Sequence, residues 1–120
     1  MWFEIPTKDL DRAISFYQDV FECEIKKVDL GDLKMGWFPT DGKSPGATGT
    51  LVHNEEFYEN SEKAGTLIYL HAEDCSSELA RVEKAGGKVV IPKKEISPEH
   101  GFMGVFIDSE GNRIALHSLK

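Results

Sequence analysis

Three strand-like runs in this sequence carry groups able to move protons or hold a ligand. Trp2, Glu4 and Pro6 alternate along the first run, Leu67, Tyr69 and His71 along another, and Arg113, Ala115 and His117 along the last. Side chains two apart on a strand share a face, so each trio points one way. Phe3, Ile5, Ile68, Leu70, Ile114 and Leu116 point the other way, as a core face should. A carboxylate (Glu4) and an imidazole (His71) on facing surfaces form an acid–base pair. His100, in the polar loop Pro92 to His100 that leads into the next strand, is a third candidate base, or an anchor for a ligand. Trp2, Trp37 and Tyr69 supply aromatic walls for a flat or apolar ligand, and Arg113 and His117 supply polar contacts. Plainer alternatives stand beside each reading. Glu4 could simply pair with Arg113, His71 could bond the following loop, His100 could serve a turn, His117 could fray with the C-terminus, and the aromatics could be core.

These groups act together only if the elements bring them to one place. The Trp2 to Pro6 strand is followed by Asp9 at an N-cap position. Leu10, Ala13, Ile14, Tyr17 and Phe21 then recur at helical spacing, which predicts a helix from about Asp9 to Val20. Strands are expected at Glu24–Leu30, Leu33–Pro39 and Ala47–His53, with a turn at Gly31-Asp32 and a loop at Asp41–Gly46. The acidic, unpatterned segment 54–65 reads as a linker.

The same order then recurs. A strand at Thr66–Ala72 precedes a second N-cap, Asp74, and a helical stripe of Cys75, Leu79 and Val82, stopped by Gly86-Gly87. Strands follow at Lys88–Ile91, Phe102–Ile107 and Asn112–His117, the last hairpin turning at Asp108–Gly111. Asp9 and Asp74 lie 65 positions apart, and that offset superposes Phe3 on Ile68, Ile5 on Leu70, Ile14 on Leu79, Tyr17 on Val82 and Ile25 on Val90. A repeat of this kind indicates a duplicated supersecondary unit. The expected fold is α+β: two βαβββ modules, about 1–53 and 66–120, forming a curved mixed sheet around one groove within a single 1–120 domain.

Bulk properties narrow the partners. The chain has 120 residues, 40% hydrophobic and 29% charged, which suits one compact domain. Its 14 basic and 21 acidic residues give a net charge of −7, which repels phosphate backbones and disfavours nucleic acid. It favours neutral or cationic small molecules. No apolar run approaches the ~20 residues of a membrane span, and the first residues lack the basic, apolar character of a signal peptide. Cys23 and Cys75 have no metal-type spacing, so free buried thiols in a cytoplasmic protein are expected.

Three passages resemble the vicinal-oxygen-chelate superfamily, which includes glyoxalase I, bleomycin- and fosfomycin-resistance proteins and extradiol dioxygenases. They are Ile5-Pro6-Thr7-Lys8-Asp9-Leu10-Asp11-Arg12-Ala13 with Phe16-Tyr17, Leu79 to Gly87, and Phe106-Ile107-Asp108-Ser109-Glu110-Gly111-Asn112-Arg113-Ile114. The resemblance is to small glyoxalase-related bacterial proteins, and it implies a homodimer. It also implies a divalent metal held by strands one, four, five and eight. Those positions fall here on Trp2, Thr50, Leu67 and Ala115, which are not ligands for such an ion. The expected function is therefore small-molecule binding without a cofactor. The alternative is a metal-dependent lyase, isomerase or dioxygenase with a displaced site at Glu4, His71 and His117.

Overall fold

The structure is a computed structural model and describes residues 2–43 and 46–120, so Ser44 and Pro45 of the expected loop lie outside it, as does Met1. The first module contains β1 (Trp2–Pro6), α1 (Leu10–Phe21), β2 (Lys26–Asp29), β3 (Lys34–Trp37) and β4 (Thr48–His53). The second contains β5 (Ile68–His71), α2 (Cys75–Val82), β6 (Lys88–Ser97), β7 (Gly101–Ile107) and β8 (Arg113–Ser118). Each module forms its own four-stranded mixed sheet, in the orders β1-β4-β3-β2 and β5-β8-β7-β6. The only parallel pairing in each, β1 with β4 and β5 with β8, joins residues equally far apart in sequence, Trp2 with Thr48 and Ile68 with Ile114. The repeat read from core residues is thus repeated in strand register.

Both helices start where a side chain can satisfy their free N–H groups. The Asp9 carboxylate accepts from Arg12 N at 3.0 Å, and that of Asp74 from Ser76 N at 3.0 Å. Lys93 Nζ adds an ion pair to Asp74 at 2.8 Å, and with the Ser76 bonds it holds that carboxyl well below the usual range. The helices bury Leu10, Ala13, Phe16, Tyr17 and Val20 from α1, and Cys75, Leu79 and Val82 from α2, against one cluster fed by both sheets.

Polar contacts then lock module to module around the β7–β8 hairpin. Arg12 grips Glu110 through two parallel bonds, Nε to Oε2 at 2.8 Å and Nη2 to Oε1 at 3.1 Å, and Glu110 Oε1 also accepts from Lys8 N and Asp9 N. Burial alone would push the Glu110 carboxyl up, but the bonds from Arg12, Asp9 and Ser109 outweigh it and hold the group below its ordinary range. Beside it, the fully buried Tyr17 hydroxyl donates to Asp108 at 2.7 Å. Asp108 also accepts backbone N–H from Glu110 and Asn112, yet burial still lifts its carboxyl above the usual value.

Two expectations need correction. The stretch expected as a polar loop after Ile91 instead continues β6 to Ser97. Because β6 is an edge strand, Pro92 removes no needed ladder bond, and register shifts after Val89, Ile91 and Glu95 absorb the irregularity. The same irregularity leaves Val90 48% exposed, although its repeat partner Ile25 is buried.

Candidate functional site

Alternation sorts the strand residues as the sequence implied. Ile5, Ile114 and Leu116 join the core cluster, and Phe3, Ile68 and Leu70 pack against it, while Trp2, Trp37 and Tyr69 stay open to solvent at 48%, 39% and 51%. The candidate residues do not form one continuous lining, however. They fall into three sets, because the modules meet through α1, α2 and the β7–β8 hairpin and the two sheets share no strand pairing.

The first set lies on the open face of the first sheet. Trp2 and Trp37 meet edge to face, with ring centroids 6.0 Å apart, an arrangement that suits aromatic quadrupoles. The Trp2 indole N–H donates to Glu4 Oε1 at 3.3 Å.

The second set borders a cleft of about 230 Å³ between the modules, with Glu4, Ile5 and Pro6 on one wall and Ile68, Arg113 and Ile114 on the other. Glu4 does not pair with Arg113. Its Oε2 accepts a short hydrogen bond from the hydroxyl of Tyr58, in the segment between the modules. That bond, reinforced by partial burial, raises the Tyr58 phenol above its ordinary pKa. Tyr58 sits in a stretch without hydrophobic periodicity, so nothing in the pattern marked it.

The third set converges. Tyr69, His71, His100 and His117 line a single cavity of about 450 Å³ together with Ile96. Parallel pairing puts His71 beside His117, and Tyr69 beside the buried Ala115. His117 Nε2 lies 2.7 Å from the His100 carbonyl oxygen. A carbonyl only accepts, so His117 donates through Nε2 and its neutral form keeps Nδ1 as an acceptor. His100 is fixed in turn by Ser97, whose Oγ lies 2.9 Å from Nδ1 and accepts the His100 backbone N–H at 3.1 Å. The frayed-terminus reading of His117 is thereby replaced by a hydrogen-bonded residue inside β8. Ile96 and Ser97 escaped sequence reasoning because the strand containing them was read as a loop.

The positions that the resemblance assigns to metal ligands do not fit a divalent ion. Trp2 offers only an N–H donor, Ala115 offers no donor atom, and the buried Thr50 hydroxyl donates to Gly36 O at 3.1 Å. Leu67 carries no heteroatom in its side chain. Among the described residues, no group of three or more His, Cys, Asp or Glu is placed to hold a metal ion. Glu4, engaged by Tyr58, lines a different cavity from His71 and His117. No helix among the described residues is long and apolar enough to cross a membrane.

Comparison with known proteins agrees with the fold. Residues 1–116 match the family described as Glyoxalase/Bleomycin resistance protein/Dioxygenase superfamily. A glyoxylase-like domain-containing protein of Didymella fabae is 29% identical over 116 residues, 94% of this chain and 88% of that protein. Among solved structures, a glyoxalase I variant from Zea mays superposes with a TM-score of 0.77 at 18% identity, covering 98% of this chain but 45% of the maize chain. This chain thus spans about half of that two-fold longer enzyme. A hypothetical protein from S. aureus gives 0.73 at 21% identity over 98% of this chain and 92% of its own. A glyoxalase/bleomycin resistance protein from Albidiferax ferrireducens gives 0.70 at 16% identity, covering 98% and 95%.

Proposed function

The chain belongs to the glyoxalase/bleomycin resistance protein/dioxygenase superfamily, and from that premise we propose that it binds a small molecule on the open face of its second sheet, without a divalent metal. One observation carries the reading: four residues singled out by strand alternation and loop chemistry, Tyr69, His71, His100 and His117, border the same cavity. The space, about 450 Å³ and open to solvent, suits a compact ligand held against the sheet rather than enclosed.

The lining also narrows the ligand. Three imidazoles and a phenol present donors and acceptors, Ile96 offers apolar contact, and no carboxylate borders the space. The overall acidity of the chain favoured a cationic ligand, but that charge resides elsewhere. A flat, apolar body bearing an acceptor group, such as an aromatic carboxylate, matches this lining better, since imidazoles donate to it and are cationic when protonated. His71 and His100 are the groups that would move a proton on such a ligand.

The same reading includes a homodimer. Trp2 and Trp37 on the first sheet leave apolar surface in solvent that a second copy would cover.

The test uses untagged protein dialysed against a chelator. Its zinc, nickel, manganese and iron content should be well below one equivalent, and benzoate should still raise the thermal midpoint. Ligand at 100 times its Kd contributes about 2.7 kcal/mol. Tyr69→Ala and His117→Ala should remove that rise. A stoichiometric metal whose loss abolishes binding would overturn the proposal, as would a benzoate effect unchanged in both variants.

A further inference from the structure

A larger, open cleft lies outside the three sets above and shares only His71 with them. It measures about 860 Å³ and lies at the end of the first sheet, bordered by β1, the C-terminal end of α1, residues 38–42 and 46–48, and the end of β5. Phe3, Phe21, Phe38, Leu70 and Cys23 line it. All five belong to the apolar side chains that touch the core cluster yet stay only partly buried. Interiors normally close to crystal-like density. Here five of the ten apolar side chains that pack against the core without full burial border one space.

The wall is rigid. Phe3 and Phe38 lie 5.8 Å apart, Phe38 meets Tyr17 at a right angle at 5.4 Å, and Tyr17 stacks on Phe21 at 6.1 Å. Tyr17 is pinned behind them by Asp108. Phe3 is seated directly over Gly49, where any Cβ would collide with its ring and carbonyl oxygen. A preorganised aromatic wall binds without losing freedom of its own. The polar part of the lining comprises Thr40, Asp41, Thr48 and His71, and no lysine or arginine.

We infer that this cavity is a second binding site, for an uncharged, flat apolar molecule stacked against Phe3, Phe21 and Phe38. Among the described residues its lining carries no lysine or arginine and a single imidazole, His71, against the three that line the other space, which His71 also borders.

Cys23 provides the readout. Its thiol borders the cavity, and burial pushes its pKa up, whereas Cys75 is fully buried. Iodoacetamide alkylation of Cys23, followed by mass spectrometry, should slow when naphthalene is added. At ten times its Kd the slowing is about elevenfold by mass action. Ala47→Trp places a ring among the residues that line the same space, at an exposed loop position that leaves the core intact, and should abolish protection. Tyr69→Ala, in the other cavity, should leave protection unchanged and so separates this site from the one proposed above. Alkylation unaffected by naphthalene up to its solubility overturns the inference. So does equal protection in wild type and Ala47→Trp, and so does 2-naphthoate protecting as well as naphthalene.

Discussion

Replacing Glu110 tests whether the β7–β8 hairpin fastens the second module to the first. The Glu110 side chain is fully buried and accepts from Lys8 N at 2.9 Å, Asp9 N at 2.7 Å and the Arg12 guanidinium at 2.8 and 3.1 Å. Glu110→Ala leaves two backbone N–H groups at the start of α1 without their acceptor and removes the partner of Arg12. Arg12 can rehydrate, so the cost is chiefly that of the two stranded N–H groups, about 2–4 kcal/mol in all. Glu110→Gln keeps one acceptor oxygen for the backbone but turns an amide toward Arg12, so about 1–2 kcal/mol is expected. The Arg12 side chain is 52% exposed, and water replaces much of what it loses. Arg12→Ala strips the buried Glu110 carboxylate of its charged partner but leaves its Lys8, Asp9 and Ser109 donors, so about 1–3 kcal/mol is expected.

Urea denaturation of the four proteins at pH 7 measures these differences from the midpoints. The pH dependence supplies a second check. Glu110 has a lower pKa in the folded protein than the roughly 4.3 of an unfolded glutamate. The stability it supplies is complete above that value and is lost as pH falls through the folded pKa. The gap between wild type and Glu110→Gln should shrink in acid, and taking the difference cancels the opposite trend of Asp108. A Glu110→Ala cost below about 1 kcal/mol would refute the reasoning.

Other consequences are as direct. Burial, aided by the neighbouring Asp108 carboxylate, lifts the Tyr17 phenol well above its ordinary pKa of 10, so absorbance at 295 nm should show it ionising only with alkaline unfolding. Tyr17→Phe should cost about 1–2 kcal/mol by urea denaturation, because it strips one bond from a buried carboxylate. Gly49→Ala should destabilise by roughly 1–3 kcal/mol or more, since its methyl meets the Phe3 backbone, whereas Gly104→Ala should cost less because the flexible Leu79 end is its nearest neighbour. Light scattering after size exclusion should give twice the 13.4 kDa of the chain, and Trp37→Glu should return it to a monomer. A wild-type monomer at micromolar concentration would remove the dimer from the proposal.

Much of this architecture is legible in local chemistry. Asp9 and Asp74 announce two helix starts, and alternation separates Phe3 and Ile5 from Trp2 and Glu4, because both signals depend only on neighbouring residues. The repeat offset likewise foretells that β1 and β5 pair in equivalent registers. What failed depends on tertiary context. Pro92 looks like a loop residue until its strand is known to lie at an edge, and Val90 leaves the core through bulges that no periodicity encodes. The partner of Glu4 is Tyr58, distant in sequence and outside any pattern. Above all, the angle between the modules decides which candidate residues meet. Contacts across the modules include those of Arg12 with Glu110 and Tyr17 with Asp108, residues that read in sequence as helix and turn residues. Hence one expected lining became three sets, and only the histidines with Tyr69 converged.

The most direct measurement is a histidine-detected NMR titration of chelator-treated protein with benzoate. The imidazole ¹H–¹⁵N signals of His71, His100 and His117 should move together along one binding curve, with His53 at the far end of β4 unmoved, and added zinc should change nothing. Motionless imidazoles, or shifts that appear only once zinc is supplied, would contradict metal-free binding on the second sheet.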